Sequence, residues 1–190
     1  MTAGKIYLMM NKPRGYVCSA VSDSHKTIYE LLEPELQQLV QGAKRGERLH
    51  TIGRLDCETS GLILFTTDGY FSHRVAALGV SKTYVATLEN PVIQNEQLVY
   101  TTRAAQGLIL PPEKKFNEQK SAPAQLKFID ETTCQITVYE GKFHEVRRIF
   151  RALGNEVTEL KRIAIGSLVL PDSLAPGQYI QYNDTSFFDI

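Results

Sequence analysis

The first apolar run, Ile6-Tyr7-Leu8-Met9-Met10, stops at the turn-forming Asn11-Lys12-Pro13-Arg14-Gly15. An unbroken run of that length, closed by Pro and Gly, predicts a buried strand, and Tyr16-Val17-Cys18 resumes extended chain. From Thr27 to Val40 the apolar positions Ile28, Leu31, Leu32, Leu36 and Leu39 recur at helical spacing, and Pro34 marks a fresh helical segment. Gln41 to Arg48 is polar and reads as a loop. Leu49 to Ile52 predicts a short strand and Gly61 to Phe65 a fully apolar one. Asp68 is placed as the N-cap of a helix through Leu78, with Gly79 behind it. Thr83 to Leu88 alternates like a strand, and Gln94 to Ala105 suits a helix. Leu110 to Ala124 is long, polar and marked by prolines, the pattern of a functional or mobile loop. Gln125–Ile129 and Cys134–Tyr139 predict a hairpin around 130–133. Phe143 to Leu153 predicts a helix closed by Gly154, and Val157 to Leu170 is mostly extended. Strands and helices mixed in this order, with hairpin neighbours, predict an α+β fold.

The helix from Phe143 sorts its residues sharply. Val146, Ile149, Phe150 and Leu153 share one sector about 120° wide, the expected buried face. His144, Arg148 and Arg151 fall on the opposite side, which places them in solvent. Arg147 lies at the edge of the apolar sector. There it either directs a half-buried guanidinium at a fixed anion or runs its stem over Phe143 and ends in water.

Composition narrows the class. The 190 residues are 43% hydrophobic and 22% charged, the balance of an ordinary globular protein. No apolar stretch is long enough for a membrane span, and residues 1–12 lack the core and cleavage pattern of a signal peptide. Cys18, Cys57 and Cys134 are odd in number and widely spaced, which suits neither a disulfide framework nor a zinc site and favours a reducing, cytoplasmic setting. Charge adds something less plain. The 21 Lys+Arg balance the 21 Asp+Glu, yet the positive residues cluster. Lys5, Lys12, Arg14 and Lys26 face only Asp23 in residues 1–27; Lys44, Arg45, Arg48 and Arg54 face only Glu47 in 44–54; Lys142, Arg147, Arg148 and Arg151 face only Glu145 in 142–151. A neutral chain with such clusters can present a basic face to a polyanion.

The segment Gly53-Arg54-Leu55-Asp56-Cys57-Glu58-Thr59-Ser60-Gly61 joins two apolar strands. A carboxylate on such a connector reaches a cleft where strands end, so Asp56 is a candidate nucleophile or general base. It is equally a turn carboxylate bonded to nearby amides. With Glu58 it forms a conceivable acid and base pair of the glycosidase kind.

Four blocks now carry a resemblance: LMMNKPRGYVCS (8–19), GRLDCETSGLILFTTDG (53–69), SKTYVATL (81–88) and EGKFHEVRRIFRALGNEVTELKRIAIG (140–166). In this order the chain resembles the pseudouridine synthases, in the family of ribosomal small-subunit pseudouridine synthase A and its large-subunit relatives. The resemblance implies the fold of that family, a mainly antiparallel mixed sheet flanked by helices, its residues 1–190 forming two lobes around one catalytic cleft. It implies detachment of uracil from its ribose and reattachment through carbon, without cofactor or metal. Asp56 matches the family's catalytic aspartate, which attacks the sugar or abstracts a sugar proton. Tyr84 matches the aromatic that packs on the target base, and Arg147 the basic residue paired with the catalytic carboxylate. Arg54 matches the arginine that approaches the RNA where the uridine leaves its helix. Arg14, Arg45, Lys82, Arg148 and Arg151 are the expected phosphate contacts.

The segments GYVCS, SHRV and LAPGQY look closer to the small-subunit branch, which points to 16S rRNA, with 23S rRNA as the alternative. Most relatives carry an N-terminal S4 module, whereas here the first catalytic strand starts at once, so the chain is expected to be a catalytic domain without that module. The expected partner is rRNA or a ribosomal assembly intermediate, with no membrane and no metal, and the protein is expected to act as a monomer in the cytoplasm. Two rivals stand beside this reading: an idle RNA-binding or assembly module, and a nucleoside glycosidase using Asp56 and Glu58.

Overall fold

The computed structural model describes residues 4–42, 44 and 46–188 of the chain. The first apolar run forms strand β1 (Tyr7–Lys12), followed by β2 (Tyr16–Val17) and β3 (Lys26–Thr27). The stretch read as one helical pattern is broken as Pro34 implies. A 3-10 turn over Ile28–Leu31, opened by a Thr27–Glu30 capping box, precedes helix α1 (Pro34–Gln41). Then come β4 (His50–Ile52), β5 (Thr59–Thr66) and α2 (Gly69–Ala77). Asp68 caps α2 as expected, accepting from the amides of Tyr70 and Phe71. It also accepts from the Tyr7 hydroxyl at 2.9 Å, which ties the helix to β1.

The chain continues through β6 (Lys82–Leu88), α3 (Gln94–Ala105), β7 (Ile109–Leu110), β8 (Gln119–Lys120), β9 (Gln125–Phe128), β10 (Thr133–Val138) and α4 (Glu145–Leu153). It ends with β11 (Val157–Ile165), β12 (Leu168–Val169) and β13 (Tyr179–Tyr182). The architecture is α+β and mainly antiparallel; β2 with β3 is a parallel pair.

Two compact units divide the residues. The first comprises 1–80 and 164–190. In it β1 lies between β13 and β5, antiparallel to both, and β4 pairs with β5. Every residue of β1 is buried, which explains its continuous apolar reading. Its core gathers Met9, Leu62, Leu64, Phe71, Ile165 and Phe188. The C-terminal segment is fastened to β1 by Asn11, whose side-chain amide donates to the Leu174 carbonyl at 2.7 Å.

The second unit, 81–163, orders its strands β11, β6, β10, β9. The predicted hairpin of β9 and β10 is present, antiparallel, with Ile136 opposite Leu126. Tyr84, Ala86 and Leu88 fill one face of β6, in the alternation expected of a half-buried strand.

The polar stretch read as a long loop is ordered. β7 and β8 pair, Glu113 and Phe116 bridge between them, and Phe116 stacks on Phe143 with centroids 4.5 Å apart. Helix α4 also begins later than its pattern indicates. Phe143 lies outside it, and His144 takes a left-handed conformation with φ 47° just before the first turn. A non-glycine residue held there costs about 1–2 kcal/mol and persists only where neighbours fix it. At the other end Gly154, with φ 92°, closes the helix as expected.

Candidate active site

Asp56 sits in the connection between β4 and β5. Gly53, at φ 70°, turns the chain out of β4 in a conformation that favours glycine. Leu55 is buried and anchors the loop, its backbone N–H and carbonyl both meeting the Cys18 thiol at 3.4 Å. The Asp56 carbonyl accepts from the Thr59 amide and the Cys57 carbonyl from the Gly15 amide.

The strongest constraint on this loop is Lys12. Its side chain is 0% exposed, and its ammonium donates to the carbonyls of Pro13, Asp56, Cys57 and Thr59 at 2.8 to 3.2 Å. Burial lowers its pKa against the pull of Cys18, Cys57, Asp56 and Glu58. A cation that gathers the loop's carbonyls fixes its backbone and leaves the Asp56 side chain half-buried. Sequence reading missed Lys12, placing it in a turn, because its partners are backbone oxygens that no side-chain pattern encodes. Its buried neighbours in β1 were the available signal.

Arg54 is exposed beside Asp56, where a phosphate contact can form. Arg14 is partly exposed and its guanidinium meets the Glu58 carboxylate at 2.8 Å. That contact engages Glu58 at the surface. Arg45 lies outside the described residues.

The second unit holds the other candidates. Tyr84 is buried in β6, opposite Ile136 of β10. Lys82, half-buried at the start of β6, has its ammonium pKa lowered by burial and then by Arg162, with Glu145 opposing. Arg147 is half-buried, and its Nη1 donates to the Val157 carbonyl at 2.7 Å. Its edge position on the helix is as expected, and its head ends on the chain rather than only in water.

Arg148 is misplaced by the wheel. It is 0% exposed, with donors to the carbonyls of Pro111 at 2.8 Å, Asn117 at 3.0 Å and Phe143 at 3.3 Å. The wheel counted only apolar residues, whereas the polar 111–118 loop covers this side of α4. Arg148 is therefore a staple for that loop and is withdrawn from the phosphate contacts. Arg151 is committed as well. It grips Glu156 with two donors, at 2.8 and 3.3 Å, and Glu113 with a third at 3.2 Å, while His144 meets the other Glu113 oxygen at 2.8 Å. Burial resists ionisation of Glu113, yet His144 and Arg151 more than offset it and hold its pKa below the usual range. Lys142 is paired with Glu140. The basic cluster at 142–151 is thus largely consumed inside its own unit.

Among the described residues no group of three His, Cys, Asp or Glu side chains is placed to hold a metal ion, and no helix is long and apolar enough to cross a membrane.

Residues 6–152 match the RNA pseudouridylate synthase family. The chain is 39% identical to ribosomal small subunit pseudouridine synthase A of Haemophilus influenzae, covering 91% of this chain and 68% of that protein. It is 39% identical to the protein of the same name from Escherichia coli K12, covering 93% and 70%. A crystal structure of a pseudouridylate synthase superposes with a TM-score of 0.81 at 38% identity, over 96% of this chain and 72% of the other. A Cbf5-Nop10-Gar1 complex shares the fold at 17% identity, with a TM-score of 0.58, over 90% of this chain and 52% of the other. A family match across most of the sequence, with relatives near 40% identical and a superposing fold, settles the matter: the chain belongs to the RNA pseudouridylate synthases, isomerases that convert uridine in RNA to pseudouridine.

Proposed function

We propose that this enzyme isomerises a uridine of small-subunit (16S) ribosomal RNA, with Asp56 as the catalytic carboxylate. The observation that carries the assignment is the Lys12-bound loop, which holds Asp56 half-buried on a fixed backbone. A side chain kept at one place serves either route, attack on the sugar or removal of a sugar proton, because both depend on a pre-positioned group.

Tyr84 supplies the aromatic surface for the target base. Flipping a nucleotide costs a few kcal/mol, and stacking on an aromatic ring returns roughly 1–3 kcal/mol. Arg147 supplies a positive charge for the reaction. Its Val157 contact already holds the guanidinium in one orientation. Arg54 and Arg14 serve the phosphates; Arg14 exchanges Glu58 for RNA when substrate binds. Lys82 adds a half-buried positive charge at the start of the strand that carries Tyr84.

The small-subunit target is supported by the small-subunit enzymes to which the chain is similar and by the length over which they match. It implies a cytoplasmic enzyme working on rRNA or an assembling subunit. The test is a pseudouridine map of rRNA from cells with and without the protein. Loss of one position in 16S rRNA is the expected result; loss of a 23S position or of none overturns the target.

A further inference from the structure

Two glutamates, Glu140 in the turn between β10 and α4 and Glu145 at the first position of α4, have no part in the chemistry described above. Glu145 opens α4 yet is only 6% exposed. Its Oε2 accepts from the Lys142 amide at 3.3 Å, and its carboxyl is hydrogen-bonded to that of Glu140. Glu140 is better supplied for a negative charge: Oε1 accepts from the Ala122 amide at 2.7 Å, and Oε2 pairs with the Lys142 ammonium. Two carboxyl oxygens in contact need a proton between them, since both cannot ionise cheaply at that range. The partners decide which carboxyl keeps it: Glu140 is the carboxylate and Glu145 the acid.

The helix they support begins unusually. His144, at the N-cap position, makes no side-chain bond to the first turn and instead turns to Glu113. Beside the backbone bonds from the Glu145 amide to the Lys142 carbonyl and from the Arg148 amide to the His144 carbonyl, the Glu145 side chain loops back onto Lys142 and Glu140. Arg147 is two residues further on.

We propose that Glu145 is a positioning residue for the isomerisation, a neutral carboxylic acid whose proton, shared with Glu140, holds the first turn of α4 and so the guanidinium of Arg147. The proposal rests on the reading that Arg147 serves the chemistry. The charged groups facing Glu145 are Glu140, Lys142 and, from β6, Lys82, which itself feels Arg162 of β11. Burial and the Glu140 carboxylate push its pKa up to about 8, with Lys142 opposing. The folded chain therefore binds this proton more tightly than the unfolded one, and stability falls as pH rises from the ordinary Glu value of 4.5 towards about 8.

The test compares wild type with Glu145→Gln and Glu145→Ala, with two readouts across about pH 6 to about pH 9. One is the urea unfolding midpoint; the other is single-turnover pseudouridine formation on bound RNA. Gln keeps a neutral donor, so Glu145→Gln is expected to turn over within about twofold of wild type at pH 7 and to lose the alkaline fall in both readouts. Glu145→Ala is expected to slow turnover about tenfold or more with RNA affinity retained. The proposal is overturned if Glu145→Gln keeps the wild-type alkaline fall in the midpoint, or if it is as slow as Glu145→Ala at neutral pH. A wild-type protein that forms no pseudouridine contradicts the functional reading instead, and the midpoint against pH still judges the carboxyl pair.

Discussion

Arg148 and Lys12 are the two largest side chains sealed from solvent among the described residues. Both donate to carbonyl oxygens. Each uses a full charge to organise backbone that lacks a ladder of its own, Arg148 the 111–118 loop and Lys12 the loop of Asp56. Removing such a cation leaves buried acceptors without donors, the expensive side of hydrogen bonding. Arg148→Ala is expected to cost about 3 kcal/mol of stability, read as a shift in the urea midpoint, while the salt dependence of RNA binding keeps its slope. A flattened slope with stability intact returns Arg148 to the phosphate contacts. Lys12→Met is expected to destabilise the chain by a similar amount, about 3 kcal/mol, and to lower turnover more than RNA affinity because the Asp56 loop loosens. Unchanged turnover in a folded Lys12→Met protein removes that role.

At the scale of elements, the apolar pattern reveals what hydrophobic burial makes and misses what polar contacts make. β1, β5, β6, α2, α3 and the β9–β10 hairpin follow from runs, alternation and caps, because their registers are set by apolar residues entering a core. The β7–β8 hairpin does not, since it closes on Arg148 and on Phe116 stacked over Phe143, contacts between residues distant in sequence. β13 escaped for a related reason: Tyr179–Tyr182 is only half-buried and becomes a strand by pairing with β1. The site divides in the same way. Asp56 was a candidate from its place between two apolar strands and Arg147 from its edge position on the helix, while the resemblance to a family gave both their proposed roles and added Tyr84. Glu113 joins two of these elements, holding His144 and Arg151 from the hairpin. Because its folded pKa is lowered, its contribution is present above the unfolded carboxylate value and is lost as pH falls through the folded one. Glu113→Gln is expected to lower stability at pH 7 and to weaken the further loss on acidification, measured by urea midpoints down to about pH 3. An identical acid slope in the variant assigns the loss to other carboxylates.

For the molecule as a whole, zero net charge conceals unequal use of charge. The 142–151 cluster is spent on Glu113, Glu140, Glu156 and backbone carbonyls, whereas Arg54 is exposed and Arg14 sits in a surface pair. The salt-dependent part of RNA affinity is therefore expected to draw on Arg54 and Arg14 more than on the 142–151 cluster. Arg54→Ala is expected to reduce the slope of log affinity against log salt by about 1, while Arg151→Ala leaves it unchanged and lowers stability. A reduced slope for Arg151→Ala reverses that division. The central claim is that an RNA isomerase works through Asp56. Its most direct measurement is pseudouridine formation by purified Asp56→Asn on uridine-labelled rRNA, beside RNA affinity and the unfolding midpoint of the same protein. Abolished conversion with affinity and stability close to wild type is the predicted result; conversion near the wild-type rate contradicts the account.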